Sequence, residues 1–441
     1  MRNLIVLLIL FTSFSASGTT EVQVESPDEI HGAVILVVDG LGASYVYPEY
    51  RAFAMDGTEL ERALLFNLTG DFARVQDVRV PVPETTLSHS VLVTGCSWAD
   101  PDLLATSGAT IFDLARENGY LCLAILERAD FLEMLLLQDG VLFLPDNAIW
   151  GAEPTLGARA DLDRDLVLLL ERWRNIFSLY TMEKGVQGYI NYNTWGLNAA
   201  TAIVEHLKDE PFIMLVNVGA SDSAGHYLGS DGYIEVAAAL DWPLGLLIEA
   251  CERNDVLLIV TADHGMSFPS ISGKGGHASD QYKDRLESRR VPLVFYGPNI
   301  EEMITGGVWS ESDIAPTVAD ILNLSGSLEM ADGVPMPIGM YHDLLIRLER
   351  PSEAIIYRGK DLVASASGDT RYLFRDLMRG AYTVNAGGET IDLTVNGDQV
   401  LDLTEKEQPE TLGVTRKLIG ALLISLINLT GIGVIVIILK K

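Results

Sequence analysis

Four short stretches of this sequence carry residues that could do chemistry together. Asp263 and His264 stand side by side in VLLIVTADHGMS, Val256 to Ser267. A hard carboxylate beside a borderline imidazole is what a divalent metal recruits. Asp39 ends the apolar run AVILVV at 33–38 and precedes Gly40, Leu41 and Gly42. Asp222 and His226 are four apart in SDSAGHYLG, a spacing that brings both to one face of a helical turn or tight loop. His277 follows Gly275 and Gly276 in KGGHAS, 13 residues past His264. Taken singly, each has a plain explanation: an Asp-Gly turn, a capping aspartate, an exposed loop histidine.

Their setting is more telling than any one of them. Val256–Val260, Ala33–Val38 and Phe212–Val218 are continuous apolar runs, the pattern of parallel strands covered on both faces. Each run delivers an aspartate just past its carboxyl end, the edge at which open α/β sheets hold ligands. Three converging acids repel one another unless a cation holds them. Asp263 and His264 are adjacent, so an extended strand would point them apart. They converge only if the chain leaves the sheet, which Gly265 permits.

A hydroxyl candidate lies in VPVPETTLSHSVLVTG at 80–95. Pro81 and Pro83 stop a strand, and Thr85, Thr86 and Ser88 open a helix over Leu87–Thr94 that ends at Gly95. First-turn N–H groups of a helix lack intrahelical acceptors and bind phosphoryl oxygens. An ordinary threonine N-cap explains the same residues.

The elements that must position these groups alternate. Helices are expected over Ala109–Asn118, Leu166–Tyr180, Trp195–Lys208, Tyr233–Arg253 (disturbed near Pro243) and Asp313–Leu324, with further strands at Leu121–Leu126 and Val291–Tyr296. That pattern implies an α/β fold: a mostly parallel central sheet flanked by helices, over residues 31–345. Residues 350–403 differ, with short alternating runs such as Ala354–Tyr357, Tyr382–Val384 and Ile391–Val395 between glycine-rich turns, and predict a small β-rich C-terminal module. Glu21–Ile30 reads as a polar linker, and 404–417 as a charged stalk.

Both ends read as targeting segments. Residues 1–20 hold Arg2, the apolar Leu4–Phe11 and then mostly small residues, a secretory signal pattern. Leu418–Leu439 is uncharged and spans roughly 33 Å as a helix, enough for one transmembrane helix at 418–439. The expected localisation is therefore a single-pass protein of the cell membrane with its body extracytoplasmic. The flanking basic residues tie, so the signal alone sets that orientation. The net charge of −30 over 441 residues argues against nucleic-acid binding. Three cysteines, Cys96, Cys122 and Cys251, match no zinc spacing and read as buried thiols. Asn67-Leu68-Thr69 and Asn323-Leu324-Ser325 are weak glycosylation sequons.

The set DGLG at 39–42, ETTLSHSVLVTG at 84–95, DSAGHYLG at 222–229, TADHGM at 261–266, GGH at 275–277 and SDIAPTVADIL at 312–322 resembles the alkaline phosphatase superfamily. It looks most like the type I phosphodiesterase/nucleotide pyrophosphatase branch and its phosphoglycerate-mutase-like relatives, over roughly residues 33–340. The resemblance implies an alkaline-phosphatase-like fold and two divalent metal ions, zinc first and manganese as the alternative. Asp222, His226 and His277 would hold one. Asp39, Asp263, His264 and Thr85 would hold the other. Thr85, ten residues before Gly95, would be the nucleophile, with Thr86 the alternative. Two departures stand out. Cys96–Thr106 lacks the asparagine that helps hold phosphate in the phosphodiesterase branch. Cys96 is followed by Ser97, Trp98, Ala99 and Asp100, so the sulfatase signature is absent.

The function so implied is hydrolysis of phosphoric esters of the phosphodiesterase or pyrophosphatase type through a covalent phosphothreonine. Substrates would be a small phosphoester, a nucleotide or a lipid headgroup, with the membrane as a further partner through the C-terminal helix. The alternatives are a phosphomonoesterase or phosphoglycerate-mutase-type phosphotransferase, and a non-catalytic cell-surface binding protein on the same fold.

Overall fold

The computed structural model describes residues 19–24, 30–65, 68, 72–128, 132–208, 210–298, 300, 303–338, 341–395 and 399–404. The expected signal segment up to residue 18, most of the stalk, the helix at 418–439 and Asn67 lie outside the described residues. Among the described residues, no helix is long and apolar enough to cross a membrane.

The chain divides into two units, residues 25–342 with 376–379, and the remainder. The first element, β1 (Thr20–Gln23), belongs to the smaller unit. The larger unit runs β2 (Gly32–Val38), α1 (Ala43–Val46), β3 (Ala73–Arg79), α2 (Thr85–Thr94), α3 (Ile111–Glu117) and β4 (Leu121–Leu126). It continues with β5 (Gly140–Phe143), β6 (Thr155–Ala158), α4 (Arg164–Tyr180), α5 (Gly185–Leu207), β7 (Phe212–Val218) and α6 (Ala220–Ala238). It closes with α7 (Asp241–Arg253), β8 (Val256–Thr261), α8 (Leu286–Arg289), β9 (Arg290–Tyr296), β10 (Met303–Ser310) and α9 (Ile314–Ile321).

Its nine strands form one sheet in the order β10-β3-β9-β8-β2-β7-β4-β5-β6. The neighbours β8-β2-β7-β4-β5 and the pair β10-β3 are parallel, while β9 runs antiparallel to both β8 and β3, and β6 to β5. The sheet is thus mixed α/β and mostly parallel at its centre. β2, β7 and β8 are buried at every residue. Each large aliphatic side chain so buried contributes about 1.5–3 kcal/mol, which keeps these strands central.

Local breakers shape the helices. The continuous helix expected over Tyr233–Arg253 is instead two: α6 starts at Ala220, kinks at Gly229 (φ 80°) and ends at Ala238, and α7 begins at Asp241. Pro243 disturbs nothing, because it sits in the first turn of α7, where no intrahelical N–H bond is required. β3 and β10, not expected from sequence, pair with each other at the sheet edge, where alternation is interrupted by Gly306 and Gly307. All three cysteines are buried and unbridged.

The smaller unit is a six-stranded sheet that includes β11 (Tyr341–Arg358), β12 (Asp361–Met378), β13 (Gly380–Ala386), β14 (Glu389–Val395) and β15 (Gln399–Leu403). Ala354–Tyr357 is the end of the 18-residue β11, not a short strand, and pairs antiparallel with β13. The polar segment from Glu21 is not a linker at its start: Thr20–Gln23 form β1, parallel to β12 across Tyr372–Arg375. An exposed edge strand needs no apolar signature, which explains the miss.

Gly265 plays a different part from the one expected. Its role is space, since a Cβ there would lie 2.0 Å from the Glu287 carbonyl oxygen and 2.9 Å from Gly42 Cα. Gly265→Ala should overpack this contact and cost about 1–3 kcal/mol. Thermal unfolding of the full chain checks it, and an unchanged midpoint would show that the Glu287 segment yields freely.

Candidate active site and metal centre

Parallel register assembles the three aspartates. β2 lies between β7 and β8, with Val38 opposite Val218 and Val37 opposite Thr261. All three strands therefore end at one level, and Asp39, Asp222 and Asp263 emerge together. The Asp39 N–H continues the ladder to the Val218 carbonyl at 3.0 Å, and the Gly40 N–H donates to Asp263 Oδ1 at 3.1 Å. Gly40 has φ 78°, and a Cβ on it would meet Asp222 Cα at 2.9 Å.

The histidines arrive from three directions. Asp222 and His226 sit one turn apart in α6, so of the two conformations open from sequence the helix is the one adopted. His226 Nε2 lies 3.1 Å from Asp222 Oδ1. His264 follows β8, with Nε2 3.4 Å from Asp39 Oδ1 and 3.5 Å from Asp263 Oδ2. His277 comes in on the glycine loop, which is fixed by the Gly275 N–H donating to the Gly225 carbonyl at 2.9 Å. Its Nε2 is 3.4 Å from Asp222 Oδ1. The His264 and His277 rings stack at 3.6 Å between centroids.

Thr85 is the first residue of α2, buried, with Oγ1 3.2 Å from His264 Nε2. The structure thus brings all seven sequence-predicted residues into one cluster. Thr86 lies one residue further along the same turn. Two overlapping groups have ligand atoms mutually within 4.8 Å: Asp39, Asp263 and His264, and Asp222, His264 and His277. His264 belongs to both, and its shorter contacts are with Asp39, Asp263 and Thr85.

The donor chemistry fits a divalent cation. Each histidine presents Nδ1 to a backbone carbonyl: His226 to Gly275 at 3.1 Å, His264 to Gly265 at 3.0 Å, His277 to Pro83 at 2.7 Å. A carbonyl accepts only, so Nδ1 carries the proton and a neutral ring keeps its Nε2 lone pair free. The His264 and His277 lone pairs aim at carboxylate oxygens, including Asp263 Oδ2, which is buried without a hydrogen-bond donor. Facing lone pairs at such distances call for a cation between them, as metal-binding histidines with carbonyl-anchored Nδ1–H groups have.

The electrostatics agree. Burial, helped by the neighbouring His277, pushes His264 well below the ordinary histidine range, and burial also pushes His277 down. Both are then neutral ligands near pH 7. The Asp222 hydrogen bond pushes His226 up against the opposing effect of its burial. Burial, followed among the raising effects by the charge of Asp222, pushes Asp263 up to about 7. Burial also acts to raise Asp222, but His226, His264 and Arg128 outweigh it and hold its carboxyl well below the usual range.

Several residues escaped the sequence reading. Arg128, just past β4, pairs with Asp39 and Asp222. Its position at the carboxyl end of a buried strand was the available signal. His89, one turn after Thr85, is fully buried and places Nδ1 2.8 Å from the Thr85 carbonyl. Ser88 touches both the Asp263 carbonyl and the Glu311 carboxyl. The Ser88 hydroxyl donates toward both oxygens, and burial pushes the Glu311 carboxyl well above its usual range. Nothing local in sequence marks Glu311, because only folding brings it under α2.

Residues 180–326 match the model of the Metalloenzyme superfamily. That span holds Asp222, His226, Asp263, His264 and His277 but not Asp39 or Thr85. Among curated proteins, the chain is similar to the 2,3-bisphosphoglycerate-independent phosphoglycerate mutases of Brugia malayi (30% identical over 139 residues) and Onchocerca volvulus (31% over 145 residues). These matches cover 31% and 32% of this chain but only 24% and 26% of the relatives, so the chain spans about a quarter of their length. Among solved structures, the fold resembles that of the wild-type alkaline phosphatase PafA, at TM-score 0.51 and 12% identity over 71% of this chain and all of that one.

If the ligands divide into the two sets implied by the family resemblance, His264→Ala should lose one metal selectively and His277→Ala the other. Metal analysis of the purified variants checks this, and equal loss of both metals in each variant would contradict the division. Residues 180–326 thus match the Metalloenzyme superfamily, and the fold resembles that of an alkaline phosphatase.

Proposed function

We propose that this protein is a two-metal phosphoric-ester hydrolase of the phosphodiesterase/pyrophosphatase type, working through a covalent phosphothreonine on Thr85. The observation that carries the reading is the placement of the Thr85 hydroxyl, 3.2 Å from His264 Nε2 at the N-terminus of α2. Two divalent ions, zinc first and manganese as the alternative, would be held by Asp222, His226 and His277 and by Asp39, Asp263, His264 and Thr85; they would lower the hydroxyl pKa and offset phosphoryl charge.

The residues then have distinct tasks. Thr85 Oγ attacks phosphorus in line, the Oγ–P bond forms, and the bond to the leaving oxygen breaks. Water then attacks the same phosphorus from the opposite side and returns the Thr85 hydroxyl. The helix N-terminus favours the phosphoryl oxygens during both displacements. The backbone carbonyls behind His226, His264 and His277 hold the rings in one tautomer throughout. The missing sulfatase signature after Cys96 favours phosphoryl over sulfuryl transfer.

The signal-like residues 1–20 and the apolar 418–439 support a membrane-anchored, extracytoplasmic enzyme acting on a small phosphoester, a nucleotide or a lipid headgroup. The mutase relatives favour a second reading, monoester or mutase-type phosphotransfer, for which the proposed export offers no use.

Thr85→Ala should reduce kcat by several orders of magnitude while both metals remain bound, and a variant with wild-type kcat would remove Thr85 as nucleophile. Bis-p-nitrophenyl phosphate should be turned over in preference to p-nitrophenyl phosphate, the reverse preference favouring the second reading. Metal analysis should return roughly two ions per chain; none would leave a non-catalytic binding protein on this fold.

A further inference from the structure

Arg128 spans the two candidate metal sites. Its Nε lies 3.4 Å from Asp39 Oδ2, and its Nη2 lies 3.2 Å from Asp222 Oδ2. Nη1 donates to the Ser223 hydroxyl at 2.9 Å. The opposite oxygen of each aspartate faces imidazole: Asp39 Oδ1 toward His264, Asp222 Oδ1 toward His226 and His277. Each carboxylate therefore turns one oxygen to the histidines and the other to the same guanidinium. A guanidinium is always charged, and its planar fork of donors can face two carboxylates at once.

The arginine is itself held from below. Glu127 is fully buried, and its Oε2 accepts from the Gly219 N–H at 3.0 Å. The Tyr192 hydroxyl donates to the Glu127 carbonyl. Gly219, at the start of α6, leaves the channel for the arginine stem: a Cβ there would lie 2.5 Å from Arg128 Cδ and 2.7 Å from Cγ. Gly196 makes the matching allowance for Glu127, since its Cβ would lie 2.4 Å from Oε1. Strand end, helix start and the middle of α5 thus converge on placing one guanidinium.

We infer that Arg128 is a positioning residue shared by both metal sites, holding Asp39 and Asp222 in their ligating orientations as one unit. The inference rests on the two-metal reading above and assigns the outer partner of two ligands from different sites. Partners of metal-ligating groups typically change metal affinity by about 10–100-fold when lost. Because this partner is common to both sites, its loss weakens both, unlike loss of a ligand that serves one.

The test is calorimetric titration of Zn2+ into chelator-stripped, full-length wild type, Arg128→Gln, Arg128→Lys and Gly219→Ala. Arg128→Gln should weaken both binding steps by about 10–100-fold, and Arg128→Lys should recover part of the loss, having the charge without the fork. Gly219→Ala keeps every ligand and the guanidinium but displaces the stem, so it should weaken both steps to a smaller degree. If thermal unfolding shows Arg128→Gln to be unfolded, the lysine and alanine variants carry the test. Affinities within twofold of wild type, or loss confined to one step, overturn the inference. Unchanged metal affinities with a raised KM for bis-p-nitrophenyl phosphate would overturn it too, and would put Arg128 against the substrate. A wild type that binds no metal defeats the two-metal reading itself, an outcome distinct from these.

Discussion

Three buried carboxylates at one sheet edge are the constraint on which the rest of the larger unit depends. Removing ionised carboxylates from water costs several kcal/mol each, and placing them side by side adds repulsion. Asp39, Asp222 and Asp263 are all buried, and one guanidinium is too little charge to balance them. Two of the three imidazoles add nothing to it, because burial holds His264 and His277 neutral. A fold that keeps such a cluster is built for cations. The same features that would make the cluster unstable as a structural device make it a strong site for divalent metal.

The sheet solves the geometric half of that problem. β2 sits between two parallel neighbours in matching register, so three chains end at one height without adjustment of any side chain. Apolar burial of β2, β7 and β8 on both faces supplies the stability against which an acidic edge can be held. Departure from the sheet is then controlled by close backbone contacts. Gly40 and Gly265 occupy places where any Cβ would strike a neighbour. Three backbone carbonyls set the histidine tautomers, so the lone pairs point inward before any ligand arrives.

Beneath this layer lies a less visible one. Ser88 and Glu311 buttress the Asp263 backbone, His89 backs the Thr85 carbonyl, and Glu127 with Gly219 steers Arg128. These contacts matter because the geometry of a functional cluster must hold within a fraction of an ångström. They link helices α2, α5 and α6 to the strand ends, so the site is a property of the whole larger unit.

Sequence by itself determined the elements with strong local signals. Continuous apolar runs marked β2, β4, β7 and β8 to within a residue or so, because strands buried on both faces tolerate little else. The same reading offered Asp39, Asp222, Asp263, His264 and His277 at strand ends or on a glycine loop and His226 by its spacing from Asp222, while the choice of Thr85 over Thr86 came from the family resemblance. Weak signals misled it: β1 and β3 lie at or toward sheet edges, and Gly229 divides what periodicity joined into one pattern. Only the tertiary structure decided which atoms meet. Arg128 reaches Asp222 across 94 residues, and Ser88 reaches Glu311 across 223. No local periodicity encodes such distances, because they are set by strand order and register rather than by the residues on either side.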